Sequence, residues 1–236
     1  MERVVMIKNV KAVLIAMISV FYMHADYTYK LFEKESIEEV LPFIVANRIE
    51  AFREYPYLYE GNWDEEASLI RQLSTMRDSA VVVAFFHDQP VGFLSGVSFQ
   101  AYDDHFVGSV EKFQQAGFDA QAFYYFPEMI IVSEHRGKGL SKKLFTILKE
   151  NAKKMGYTQG CFVTESHENH HLKPVDYRGL DTLWSDMGCQ KTDITLNFSW
   201  MTLQNNNEQS MQEHILTYWI KDFSKPDLRK NDFYPA

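Results

Sequence analysis

The segment Phe123–Lys154 constrains this chain most. An apolar, strand-like run, Phe123 to Val132, leads into Arg136-Gly137-Lys138-Gly139-Leu140-Ser141, and an amphipathic helix begins at once. Glycines allow the left-handed backbone of a tight turn and let the main chain approach a ligand closely. The N–H groups at the start of a helix, together with its dipole, make a seat for an anion. From Arg136 to Lys154, seven basic residues (Arg136, Lys138, Lys142, Lys143, Lys149, Lys153, Lys154) stand against Glu150 alone, in a chain of net charge −8. A polyanionic ligand is therefore expected here, the alternative being a solvated basic helix face after an ordinary glycine turn. The glycine spacing fits neither a P-loop nor a Rossmann fingerprint.

The acidic balance argues against general nucleic-acid binding, which needs a basic surface. Two cysteines, Cys161 and Cys189, are too few for a disulfide framework or a four-cysteine zinc site, and read as free thiols in a reduced compartment. The cytoplasm is the expected location, with a secretory signal left open. That alternative rests on residues 1–25, where Arg3, Lys8 and Lys11 precede an apolar run from Ala12 to Met23. The run has about 12 residues against the ~20 needed to span a bilayer, so stable membrane insertion is not expected. A packed helical extension, or a true start at Met17 or Met23, would explain the same residues.

Residues 26–236 read as one domain in which strands and helices alternate. Strands are expected at Tyr27–Phe32, Ala80–His87, Val91–Phe99, Phe123–Val132, Cys161–Thr164 and within Cys189–Leu203. Asp88-Gln89-Pro90 makes a hairpin of the second and third. Helices are expected from a Ser36 cap towards Tyr55, at Asp64–Met76, within 101–118, at Gly137–Met155, at Asp181–Met187, and at the C-terminal end over 209–223. Leu140, Leu144, Leu148 and Ala152 recur every four residues along the most regular of them, and Gly156 ends it. The pattern is that of an α/β (α+β) fold with a mixed sheet.

The run Ile131-Val-Ser-Glu-His-Arg136-Gly-Lys-Gly139-Leu-Ser141 resembles the acyl-CoA-binding motif of the GNAT acyltransferase superfamily, with Arg136 and Gly139 in its matching positions. Ser141 departs at the last position but is still small, and Ser133 stands where a proline is common. The resemblance covers roughly residues 27–203. Phe123-Tyr-Tyr-Phe-Pro-Glu128, Pro174–Trp184 with Gly188, and Phe198-Ser-Trp200 bring the chain closest to GNAT modules found beside carbon–nitrogen hydrolase domains, although 236 residues leave no length for the hydrolase. The resemblance implies a mostly antiparallel central sheet flanked by helices and splayed at the strand 123–132. Acetyl-CoA would be the co-substrate, with no metal. The reaction would be acetyl transfer by direct attack of an amine on the thioester, the acceptor a small molecule or peptide, and a homodimer is compatible with it. A non-catalytic coenzyme A-binding or sensing module is the alternative. By the family's pattern, main-chain groups of Met129, Ile130 and Ile131 meet the thioester and pantetheine arm, and Arg136, Gly137, Lys138, Gly139, Leu140, Ser141 and Lys142 form the pyrophosphate cradle. Pro127 fits the splay, because proline inside a central strand requires a bulge or an edge.

Glu128 reads as the general base, since an ammonium acceptor must lose a proton before attack and apolar neighbours should raise the carboxyl towards neutrality. Its alternative is a carboxylate that orients substrate or pairs with a cation. The family's general-acid tyrosine falls on Trp184, which has no acidic proton to give. A thiolate that leaves unaided is the first reading, with Tyr177 as the substitute acid next and Tyr124 or Tyr125 after it. Glu165-Ser-His167-Glu-Asn-His170-His171 reads as a polar active-site loop, because Pro174 follows too soon for a metal-binding helix. Ten acids between residues 33 and 66, with aromatics from Phe52 to Tyr59, suggest a cationic or amphipathic acceptor, or merely a solvated acidic face.

Overall fold

The computed structural model describes residues 27–103, 105, 108–165, 170–204 and 208–226; the N-terminal segment 1–25 lies outside them. Eight strands form one sheet: β1 (Tyr27–Glu33), β2 (Ala80–Phe86), β3 (Gln89–Ser98), β4 (Phe123–Tyr125), β5 (Met129–Ile131), β6 (Gln159–Glu165), β7 (Gln190–Leu203) and β8 (Gln209–Asp222). Their order is β1-β2-β3-β4-β6-β8-β7, with β5 also on β3. Every pairing is antiparallel except β4 with β6. This is the mixed, mostly antiparallel sheet that the sequence led one to expect.

The central strands are covered on both faces, which is why β2, Ala-Val-Val-Val-Ala-Phe-Phe, is apolar almost throughout. Val81 and Val83 point into one core with Ile44, Val45, Ile70 and Leu73; Ala80, Val82 and Ala84 point into the other with Leu144, Phe145 and Leu148. Helices α1 (Leu41–Arg53) and α2 (Trp63–Thr75) cover the first face, joined by the short α3 (Phe99–Tyr102) and α4 (Ser109–Gln115). Helices α5 (Leu140–Lys154) and α6 (Asp181–Asp186) cover the second. The expected Ser36-capped helix is divided: Lys34–Glu39 is 3₁₀, Val40 breaks the geometry, and α1 restarts with Pro42 in its first turn. Ser36 acts as the third residue of a capping box, its hydroxyl accepting from the Glu33 N–H at 2.8 Å.

Two further expectations change. The helix expected over 209–223 is the strand β8, paired along its length with β7 and over its second half with β6. Ile215, Leu216, Trp219, Ile220 and Phe223 imitate a helical stripe, but His214, Leu216 and Tyr218 alternate into the core, and the β-branched and aromatic residues suit a pleated surface. The single strand over 123–132 is broken at Phe126-Pro127-Glu128 into β4 and β5. Phe126 N–H still donates to Cys161 O at 2.9 Å, after which, among the described residues, β5 pairs only with β3, so the sheet opens between β5 and β6.

Candidate functional site

The opening between β5 and β6 leads into a cavity of about 560 Å³. Phe126 to Ile130 form one wall and Phe162 to Glu165 the other, with Phe145 and Trp184 on the α5/α6 face. On the α1/α2 face, Arg48, Phe52, Tyr57, Tyr59, Glu66, Tyr102 and His105 line it, together with Phe198 and Trp200 of β7. The α1–α2 connection is fastened to β7: Leu203 N–H donates to Leu58 O at 2.7 Å, and Trp200 Nε1 donates to Tyr57 O at 2.9 Å. A loop tied this way holds the aromatic rings of Tyr57 and Tyr59 at the cavity rather than in solvent.

The glycine turn lies beyond the end of β5. Gly137 and Gly139 have φ of +74° and +77°, the left-handed region that disfavours every residue with a side chain. Nothing lies within 4 Å of where a Cβ would sit on either, so the space over the turn is open. Arg136 Nε donates to Ile131 O at 3.0 Å and ties the turn to the strand. Gly139 caps α5, whose first backbone bond runs from Lys143 N–H to Gly139 O. The first-turn N–H groups of a helix have no acceptor within it, and basic side chains surround these. The expected cradle residues thus lie contiguously around an open, positively charged turn; Met129, Ile130 and Ile131 make up the strand leading to it, and Met129 and Ile130 also line the cavity.

Glu128 lies on the cavity wall, 7% exposed. Its carboxylate forms an ion pair with Arg48, which is itself buried and bonded through Nε to Glu66. Ser95 Oγ donates to Glu128 Oε1 at 3.4 Å. The carboxylate thus already has a cationic partner within the protein, the pairing weighed as its alternative role. Arg48 also lies over the Phe52 ring, 4.8 Å from its centroid. Of the ten acids between 33 and 66, only Glu66 is buried; the others face solvent.

Tyr177 does not line the cavity; it meets Tyr55 edge-on, with ring centroids 4.5 Å apart. Tyr124 is fully buried and its hydroxyl donates to Asp78 O, while Tyr125 reaches the cavity wall. Burial holds both phenols well above their ordinary range. Trp184 packs on Phe162 at 4.6 Å, and its buried Nε1 has no hydrogen-bond partner among the described residues. An acceptor group on a bound chain would satisfy that donor, which suits an amide-bearing pantetheine arm. Cys161 is inert: burial pushes its thiol far up. Residues 166–169 of the histidine-rich loop lie outside the described residues, and no group of three or more potential metal ligands gathers among those described. Also among the described residues, no helix is long and apolar enough to cross a membrane.

Arg48 and His105 line the cavity without having been singled out from the sequence as site residues, and nor was His214, which lies behind the wall, while Glu165 reads in the sequence only as the first residue of a polar active-site loop. Glu165 Oε1 lies 3.3 Å from His214 Nδ1, and His214 Nε2 lies 2.8 Å from Thr202 Oγ1. Burial raises Glu165 to about 8, and burial first, with neighbouring Glu165 next, pushes the Tyr57 phenol up to about 12.

Residues 43–174 match the model of the acetyltransferase (GNAT) family. The fold is similar to that of an N-acetyltransferase from Staphylococcus aureus Mu50, at 16% identity over 84% of this chain and 99% of that one, with a TM-score of 0.53. A ribosomal-protein-alanine N-acetyltransferase from Brucella melitensis is similar at 16% identity over 82% and 99%, with a TM-score of 0.51. A Salmonella typhimurium structure assigned as an acetyltransferase, with its cofactor acetyl-CoA, is similar at 15% identity over 89% and 97%, with a TM-score of 0.51. At these identities the likeness is one of fold. No curated protein matches the chain significantly in sequence.

Proposed function

The chain belongs to the GNAT acetyltransferase family, and on that premise we propose that it moves an acetyl group from acetyl-CoA to a cationic amine carrying an aromatic or apolar body. The observation that carries this reading is the break at Phe126-Pro127-Glu128, which opens the sheet into an acidic, aromatic cavity, with β5 leading from its wall towards the glycine turn. The pyrophosphate rests on the N–H groups and basic side chains from Arg136 to Lys142. The pantetheine arm lies along Met129–Ile131, where β5 has no partner on its β6 side, and Trp184 Nε1 donates to it. The thioester then meets the chamber near Glu128.

The chamber fits an amine for two reasons. Glu66 and Glu128 outnumber Arg48, and Glu165 adds to them once ionised, so an ammonium is favoured over an anion. Phe52, Tyr57, Tyr59 and Trp200 offer ring faces to a cation or an apolar substituent. Attack by the deprotonated nitrogen forms the amide, and a thiolate whose conjugate acid has a pKa of ~8.5 leaves without a dedicated acid. Trp184 in place of a phenol is compatible with that route.

The test is acetyl-CoA turnover with 2-phenylethylamine, spermidine, glycine and a peptide N-terminus, following thiol release and the acetylated product by mass. Turnover of the aromatic amine well above that of zwitterionic glycine is expected. Coenzyme binding without thiol release from any of them would leave a coenzyme-binding module instead.

A further inference from the structure

Of the three carboxylates that line the cavity, Glu128 and Glu165 stand on opposite walls, and their surroundings differ in kind. Glu128 is held by the buried Arg48 guanidinium, which also bonds Glu66. A carboxylate in such a pair is a poor proton acceptor, because protonation forfeits the pair and leaves the cation buried. Glu165 ends β6 on the other wall, and its side chain is 1% exposed. It meets His214 of β8, whose ring is fixed on its far side by Thr202 of β7 and stacks on Trp200 at 7° between planes. The other titratable groups lining this chamber are Tyr57 and Tyr59 from the α1–α2 connection, Arg48 from α1, Glu66 from α2, Tyr102 from α3, His105, Tyr125 of β4 and Glu128. Desolvation is the cause that raises Glu165 to about 8, where a carboxyl exchanges protons near neutral pH.

We propose that Glu165 takes the proton of the acceptor ammonium, with His214 as its positioning residue, while the Glu128–Arg48 pair shapes the acceptor seat. This inference rests on the acetyl-transfer reading. The ammonium gives one proton to the Glu165 carboxylate. The freed nitrogen forms the N–C bond to the thioester carbonyl. Collapse of the adduct breaks the C–S bond, the thiolate leaves and takes up the second nitrogen proton, and Glu165 returns its own to water. The imidazole of His214 orients Oε1 and stabilises the carboxylate between turnovers.

The experiment compares wild type, Glu165→Gln, Glu128→Gln and His214→Gln, with acetyl-CoA and 2-phenylethylamine as probes. In wild type, kcat/KM should rise through about pH 8. In Glu165→Gln it should fall by roughly 10²–10⁴, with the acidic limb displaced to the amine's own alkaline range. Glu128→Gln should raise KM and keep the limb near 8; His214→Gln should keep a limb but shift it. A limb unchanged in Glu165→Gln, or lost in Glu128→Gln, overturns the assignment. Thermal stabilisation by coenzyme A reports the fold of each variant, and Glu165→Asp replaces the glutamine if that variant does not fold. Infrared titration of the unliganded protein gives an answer without turnover. A protonated-carboxyl band that is lost near pH 8 in wild type and Glu128→Gln, and is absent in Glu165→Gln, supports the proposal; no such band refutes it. Absence of thiol release from wild type would instead count against the acetyl-transfer reading, so the two failures are distinct.

Discussion

Replacing Gly139 by glutamate tests the phosphate cradle against a matched control. Gly139 has φ +77° and Gly117 has φ +85°, and a Cβ on either meets nothing within 4 Å. A side chain at such a φ costs ~1–2 kcal/mol in backbone strain. At about 2–4 °C per kcal/mol for a chain of this size, both Gly139→Glu and Gly117→Glu should lower Tm by roughly 2–8 °C. Only the first places its carboxylate over the glycine turn. Two like charges ~5 Å apart at an effective dielectric near 20 repel by about 3 kcal/mol. Salt screening at this exposed turn removes a good part of that, while the new side chain also fills the open space. Together these should raise the Kd for coenzyme A by ~10–100-fold in Gly139→Glu and leave it unchanged in Gly117→Glu. Isothermal titration calorimetry measures both, with circular dichroism as the fold control. Equal affinity in the two variants would refute the cradle and the charge argument together.

Three further outcomes follow from single contacts. Because burial raises Glu165 from its ordinary 4.5 to about 8, its contribution to stability is complete below pH 4.5 and is lost as pH rises through 8, so Tm should decline more steeply over that range in wild type than in Glu165→Gln; parallel curves from differential scanning fluorimetry would contradict this. Gly96→Ala should destabilise by ~1–3 kcal/mol, since its Cβ would come 2.2 Å from Tyr124 Cε1, a ring tethered through its hydroxyl to Asp78 O; an unchanged urea midpoint would show that the ring yields. Tyr177→Phe keeps the edge contact with Tyr55 and should leave kcat/KM and its alkaline limb in place, whereas loss of that limb in the pH profile would make Tyr177 the acid.

What was legible in the sequence was local. The glycine turn, the four-residue repeat of α5 and the Val81–Val83 run each declare their structure within a few residues, because left-handed glycines and helical or pleated periodicity are short-range properties. Pro127 signalled the break in the strand for the same reason. The strand β8 was hidden because Ile215, Leu216, Trp219 and Ile220 satisfy a helical stripe as well as a pleat, and only pairing with two distant strands decides between them. Arg48 is one base within an acidic stretch of sequence, and nothing local couples it to Glu128 across the fold. Glu165 and His214 meet only because β6 and β8 pair in a register that sets Glu165 beside Leu216. The chemistry of the coenzyme side is thus written in one contiguous motif, and that of the acceptor side is assembled by topology.

The central claim is that the sheet opens at Phe126-Pro127-Glu128 to take a coenzyme A thioester, with the acceptor chamber beyond it. A crystal structure of the complex with coenzyme A tests this most directly. The account predicts the pyrophosphate over Gly137–Ser141, the pantetheine arm along Met129–Ile131 with an acceptor atom on Trp184 Nε1, and the sulfur at the mouth of the chamber lined by Glu128 and Glu165. Coenzyme A bound elsewhere, or bound with its sulfur outside the cleft between β5 and β6, would contradict it.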